Sequence, residues 1–176
     1  MGAAASRKTA FLALGSNRGD RAALIERALT ELAAAGVTLR RRSSFYETQP
    51  VGMTARRWFL NAVVEIETDR LPLRLFRLAQ RIQHSLGRRP SGPPERGRAG
   101  PQPAARTIDI DILYYGHSII RSPELVIPHP RLDERRFVLV PLAEIAPGFR
   151  HPLTGRTSNE MLAALSDTSI VRPWRG

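Results

Sequence analysis

The residues best suited to chemistry lie in the run Arg106-Thr107-Ile108-Asp109-Ile110-Asp111-Ile112-Leu113. Apolar and polar residues alternate strictly through its β-branched middle, the signature of a half-buried strand. Side chains two apart on a strand share a face, so Asp109 and Asp111 project together, roughly 6–7 Å apart at about 3.3 Å per residue. Ile108, Ile110 and Ile112 fill the opposite face. Two carboxylates held side by side repel one another unless a cation lies between them. Mg²⁺ suits such a pair, being hard, oxygen-seeking and usually shared with substrate phosphates. Arg106, just upstream, has the fork geometry of a phosphate clamp.

Three further groups have chemistry-bearing spacing. Phe59 and Asn61, two apart on a strand, pair an aromatic with an amide, which suits a flat heterocycle, but on spacing alone core packing and a satisfied amide are the simpler reading. Pro128-His129-Pro130 holds a histidine between two conformation-fixing prolines, with Arg131, Arg135 and Arg136 behind it. Its spacing fits a phosphate contact and a structural histidine alike. Gly15-Ser16-Asn17-Arg18-Gly19 joins a strand to a helix but lacks the residues of a Walker A or dinucleotide loop, so it reads as a turn capped by Asn17 or Asp20.

The elements that must position these residues follow from periodicity. Strands are expected over 9–14, 37–46, 58–68 and 106–113. Helices are expected over 22–35, with Gly36 behind, and over 72–86, closed by Gly87. Residues 88–105 hold five prolines, three glycines and four arginines and almost nothing that packs, so they are expected to form a mobile active-site loop. A short hairpin should follow Gly116, then an extended 125–128 and helices over 137–145 and 158–165. The order βαββαβ is that of the ferredoxin-like fold, an α+β class with an antiparallel sheet and helices on one face.

Composition sets the limits. At 176 residues the chain is expected to be one domain over 9–176 behind a short disordered leader, residues 1–8. With no cysteine it has no disulfide, thiolate metal site or Cys nucleophile. No apolar run approaches the roughly 18 residues of a membrane helix, and a cytoplasmic location is expected. The net charge of +11 is almost all arginine and attracts polyanions, nucleotides among them.

Taken together, these segments resemble one family. The matching runs are 11–17 (FLALGSN), 43–48 (SSFYET) with Pro50 and Gly52, 59–62 (FLNA) and 86–88 (LGR). Residues 106–113 (RTIDIDIL), 127–130 (IPHP) and Phe137 through Pro147 complete the pattern. The chain is similar to the 6-hydroxymethyl-7,8-dihydropterin pyrophosphokinases of folate synthesis over roughly residues 9–165. The resemblance implies transfer of the β,γ-diphosphate of ATP to the pterin hydroxymethyl, with release of AMP. It implies two Mg²⁺ ions on Asp109 and Asp111, with Arg88 and Arg106 on the ATP phosphates and Arg98 and Arg135 reaching the same charge. His129 would contact the nucleotide, and Gln80 and Ile112 would line the adenine. Phe59 and Phe137 would sandwich the pterin, its edge read by Asn61, Thr48 and backbone near Gln49, Val51 and Gly52. The expected partners are therefore ATP and the pterin, with no nucleic acid and no membrane, and the expected state is a monomer.

Three positions depart from the family pattern. The Arg-Trp-Gly-Pro-Arg run before the aspartates becomes Arg98-Ala99-Gly100-Pro101, then four inserted residues before Arg106. Gln83 stands where an acid is often found, and Phe59 where tyrosine is frequent. A catalytically weak pterin- or nucleotide-binding paralogue and a ferredoxin-like RNA platform are the alternative readings.

Overall fold

Alternation along the first strand decides the layering. In β1 (Lys8–Ser16), Ala10, Leu12 and Leu14 enter one buried cluster and Phe11 enters another, on the opposite face. The computed structural model describes residues 7–49, 57–87 and 107–176. Within them β1 lies between β4 (Phe59–Thr68) and β5 (Asp109–Tyr115), antiparallel to both. Beyond β4 come β2 (Thr38–Arg42), paired with its Val64–Glu67 stretch, and β3 (Tyr46–Thr48), paired with Phe59–Asn61. A last strand, β8 (Val171–Pro173), pairs antiparallel with β3 and closes the sheet order β5-β1-β4-β3-β8. Between β5 and β8 a small hairpin pairs β6 (Ile120–Arg121) with β7 (Val126–Ile127).

The helices are amphipathic and cover both faces. On the first face α1 (Arg21–Ala34) buries Ile25, Ala28, Leu29 and Leu32, and α2 (Pro72–Ser85) buries Leu75, Leu78, Ala79 and Ile82. Asp20 caps α1 by accepting the Ala23 N–H at 3.0 Å. On the second face α3 (Arg136–Ile145) buries Val138, Leu139, Leu142 and Ile145 against Phe11, Val63, Leu113 and Tyr114. Beside it sits α4 (Ser158–Ala163), started by a Thr157/Glu160 capping box. This corrects the expectation of helices on one face alone. The sequence order did not reveal that the C-terminal third folds back under the sheet, although Val63 and Tyr114, apolar on the second face, require a cover there.

The single strand expected over 37–46 is two strands. At Ser43 the backbone N–H donates to the Val63 carbonyl at 2.9 Å, while the Ser43 hydroxyl accepts the Val63 N–H at 3.0 Å. The side chain thus replaces a backbone acceptor, and pairing with β4 resumes at Tyr46↔Asn61 as β3. The basic run at β2 is matched by acids: Arg40 pairs with Glu67 at 2.6 Å, Arg41 with Glu65 at 2.6 Å, and Arg42 with Glu26.

In β5 the register with β1 passes from Leu12↔Ile112 to Phe11↔Tyr114, so Leu113 is an extra, bulged residue. Leu113 and Tyr114 therefore both enter the α3-side cluster, whereas Ile108, Ile110 and Ile112 enter the other. Asp109 and Asp111 are fixed on the α3 face.

Ser43→Ala would leave the buried Val63 N–H without its acceptor. The expected cost is about 1–3 kcal/mol, read as a lower urea midpoint at unchanged slope. An unchanged midpoint would show that the backbone repairs the break without the hydroxyl.

Candidate active site

The site begins where β1 reaches its C-terminal end. Gly15 faces the α3 side of the sheet, between Asn61 on β4 and Asp109 on β5, its partners in register. A Cβ at position 15 would lie 2.6 Å from Asn61 Oδ1, closer than atoms can approach. The carboxamide therefore lies across the glycine. From there Asn61 Nδ2 donates to Thr48 Oγ1 at 2.7 Å, and both side chains are buried. Phe59 pairs with Thr48 across the ladder and shares the face of Asn61. These residues form a corner with an amide, a hydroxyl and a half-buried ring, suited to a flat polar heterocycle.

A second cluster braces the outside of this corner. Glu47 bonds Arg21 at 2.7 Å and Arg172 at 2.9 Å, and the Arg172 guanidinium lies 4.4 Å from the Trp58 ring centroid. Hydrogen bonds from Arg21 first, then from Arg172, hold the Glu47 carboxyl below its ordinary range.

Beside the corner stand the two aspartates, both partly exposed. Among the described residues no group of three or more His, Asp or Glu gathers around one point. The donor set is thus a carboxylate pair on a rigid strand, which fits Mg²⁺, an ion that takes one or two carboxylates and completes its shell with water and phosphate oxygen. The outer edge of β5 is held by α2: Gln83, itself buried, accepts the Ile110 N–H at 2.9 Å, between the two aspartates. Gln80 lies exposed one helical turn earlier. The Ile112 side chain points into the α1/α2 core, opposite the aspartates, and by strand alternation its main chain faces the same outer edge as that of Ile110.

The third wall comes from the far side of the chain. The His129 N–H donates to the Leu113 carbonyl at 3.0 Å, and Nδ1 accepts the Arg131 N–H at 3.2 Å, which leaves the proton on Nε2. Burial holds this imidazole below its ordinary value; Asp111 pulls it up, and Arg135 and Arg131 push it down. It is therefore neutral at pH 7, a donor beside a carboxylate rather than a competing cation. The Arg135 guanidinium stands 5.6 Å from the Phe137 ring centroid at the start of α3.

From Thr48 through Asn61, Gly15, Asp109, Asp111 and His129 to Arg135 and Phe137, one surface is built from five separate stretches of chain. Its rim is tied down as well: Ser16 Oγ donates to the Thr107 carbonyl at 2.6 Å, and Thr107 Oγ1 to the Gly87 carbonyl at 2.9 Å.

The chain is similar to known proteins. Residues 11–147 match the family model of 7,8-dihydro-6-hydroxymethylpterin-pyrophosphokinase (HPPK). The chain belongs to the HPPK family. It is 41% identical over 167 residues to the 2-amino-4-hydroxy-6-hydroxymethyldihydropteridine pyrophosphokinase of Bacillus subtilis, covering 94% of this chain and 90% of that one. The enzyme of the same name from Methylorubrum extorquens is 43% identical over 164 residues, covering 93% and 97%. Among solved structures, wild-type Plasmodium falciparum HPPK-DHPS superposes with a TM-score of 0.67 at 15% identity. That match covers 90% of this chain and 44% of the longer one, and it shows the shared fold.

Of the residues the HPPK resemblance singled out, Thr48, Phe59, Asn61, Asp109, Asp111, His129, Arg135 and Phe137 are brought to one face. Gln80 and the main chain of Ile112 lie at the adjoining edge of β5. Gln49 is exposed just past β3, its N–H donating to the Ile170 carbonyl at 3.1 Å. Val51, Gly52, Arg88, Arg98 and Arg106 lie outside the described residues, as does the expected loop over 88–105. Sequence reasoning took Gly15 as part of a turn and Gln83 only as a departure from the family, whereas Gly15 lies within β1 under Asn61 and Gln83 holds Ile110. A glycine inside an apolar strand signals a close approach, and a glutamine on the apolar stripe of α2 signals a buried acceptor.

Gly15→Ala tests the corner directly. The methyl collides with Asn61 Oδ1, so pterin binding should fall at least tenfold while the cooperative melt survives. Undiminished binding by titration calorimetry would show that Asn61 does not act from this position.

Proposed function

We propose that this chain transfers the β,γ-diphosphate of ATP to the hydroxymethyl oxygen of 6-hydroxymethyl-7,8-dihydropterin, releasing AMP, with Asp109 and Asp111 as ligands of two Mg²⁺ ions. The observation that carries this reading is the adjacency of two surfaces on one sheet face: the Thr48–Asn61 corner, held over Gly15, and the Asp109/Asp111 pair in register with it. One surface suits a pterin edge and the other a metal-bound polyphosphate. Family membership supports the pairing of the two substrates. The frame is read as a ferredoxin-like unit of β1, α1, β2 with β3, β4, α2 and β5, to which α3, α4 and β8 are added. The antiparallel order β5-β1-β4 with β2 and β3 beyond supports it.

Each residue then has a task. Phe59 and Phe137 stack on the pterin faces, and Asn61, Thr48 and the main chain near Gln49 read its edge. Arg135 and the Nε2 proton of His129 face the triphosphate, joined by Arg88, Arg98 and Arg106. Gln80 and the Ile112 main chain take the adenine. Bound Mg²⁺ supplies charge neutralisation and orientation of the phosphates. The pterin hydroxyl oxygen forms a bond to the β-phosphorus as the bond from that phosphorus to the AMP oxygen breaks, so the electron pair leaves on AMP and the hydroxyl proton is released to solvent. Phosphoryl transfer of this kind needs alignment and charge balance more than a protein nucleophile. The chain supplies alignment by placing Thr48, Phe59, Asn61, Asp109 and Asp111 on strands and Phe137 on a helix.

The test is nucleotide analysis with Mg²⁺ and ATP, with and without the pterin. AMP should form only when the pterin is present. Asp109→Ala should abolish AMP formation with the melting temperature little changed, and chelation of Mg²⁺ should do the same to the parent chain. Normal turnover in the variant would overturn the metal assignment; pterin-dependent ADP would overturn the reaction.

A further inference from the structure

The start of α3 carries Arg135 and Phe137, yet its own N-cap residue, Arg135, makes no side-chain cap bond. The cap comes from elsewhere in the chain: Asp167 Oδ2 accepts the Arg136 N–H at 3.0 Å. The first-turn N–H groups of a helix lack partners within it, and a carboxylate there also meets the positive end of the helix dipole. The other oxygen of Asp167 accepts the Ser169 N–H at 2.8 Å, which turns the chain toward the sheet. Within a few residues the Ile170 carbonyl accepts the Gln49 N–H at 3.1 Å, and Val171 pairs with Thr48 in β8. Arg172 then bonds Glu47, and the Trp174 N–H donates to the Phe45 carbonyl at 2.9 Å. One short run of chain thus connects the helix that presents Phe137 to the strand that presents Thr48.

The other end of α3 is fastened independently. Glu144 accepts the Ser44 N–H at 3.0 Å and the Tyr46 hydroxyl at 2.9 Å, and Arg41 donates to the Ile145 carbonyl at 2.7 Å. These bonds lie two turns from Phe137 and leave the opening end of the helix to Asp167. Burial pushes the Asp167 carboxyl up, but the N–H bonds from Arg136 and Ser169 outweigh it and hold the group below its ordinary range. It is ionised wherever the protein works near neutrality.

We propose that Asp167 is a positioning residue for the pterin clamp: by capping α3 and leading into β8, it fixes the separation of Phe137 from Thr48. The inference rests on the reading above, in which those two residues grip the pterin. Asp167 itself touches no substrate.

The experiment compares the parent chain with Asp167→Ala and Asp167→Asn. Pterin binding is followed by its fluorescence in the presence of Mg²⁺ and a non-hydrolysable ATP analogue. Steady-state KM for each substrate and kcat are measured alongside. The expected result is a several-fold rise in pterin Kd and KM for the alanine variant, up to about thirtyfold, the range that loss of a helix N-cap spans. ATP KM should rise less than pterin KM, because Arg135 beside the cap shares the triphosphate with the other arginines, and the kcat reached at saturating pterin should be largely retained. The asparagine variant, keeping one acceptor oxygen, should fall between alanine and parent, and it carries the comparison alone if the alanine variant does not fold. Pterin affinity unchanged in a folded variant, or ATP and pterin weakened alike, would overturn the proposal. A parent chain that fails to bind pterin would overturn the underlying site reading, and the inference with it.

Discussion

The site depends on one close approach. The Asn61 carboxamide occupies the volume that any side chain at position 15 would fill, since a Cβ there would stand 2.6 Å from Oδ1. That contact sets where the amide lies and so lets its nitrogen reach Thr48. Gly15 also pairs with Asp109, so the same residue of β1 has the pterin-type corner on one side and the metal-type carboxylate on the other. Because β1 is hydrogen-bonded on both edges, its position cannot relax without disturbing β4 and β5 together. A glycine, the residue least able to specify structure by its own contacts, is held by its neighbours at the point where the two surfaces meet.

The second constraint is the two-residue period of β5. Ile108, Ile110 and Ile112 are each less than 5% exposed beneath α1 and α2, and burying each contributes about 1.5–3 kcal/mol. A slip of one residue would exchange those isoleucines with Asp109 and Asp111, losing that burial and placing two carboxylates in an apolar layer. The hydrophobic core thus enforces the direction of the aspartates without touching them. The bulge at Leu113 ends this regime, because beyond it Leu113 and Tyr114 both turn toward α3. The strand is chemical at its first half and a core element at its second.

What the sequence made legible divides along the same lines. Asp109 and Asp111 on one face, the amphipathic stripes of α1 and α2, and Phe59 beside Asn61 all follow from local periodicity. Local pattern also located α3 and α4 to within a few residues. The break at Ser43 escaped because it depends on Val63, twenty residues away. The second helical layer escaped because connectivity alone does not say on which face a later helix lands. Strand β8 escaped because three residues with a proline carry little strand signal, and their stability comes from Thr48, Glu47 and Trp58. Arg88, Arg98 and Arg106 rest on the family resemblance, and their arrangement stays a proposal.

Gln83 shows how support and charge can be separated at such a site. The outer edge of β5 presents an N–H at Ile110, between the two aspartates, and a buried donor without a partner is costly. The family often places an acid here, whereas this chain places an amide. Either side chain has an oxygen for the bond, so both can hold the strand. They differ in what they add to the field: a carboxylate would bring a third negative charge near a pair that already repels, and the amide brings none. In this chain the negative potential at the face therefore comes from Asp109 and Asp111 without reinforcement from α2. Neutralising it requires correspondingly less positive charge, and His129, held neutral by its burial, adds none. On the proposed reading the balance against the triphosphate then falls on the arginines, which accords with a chain whose cations are almost entirely guanidinium.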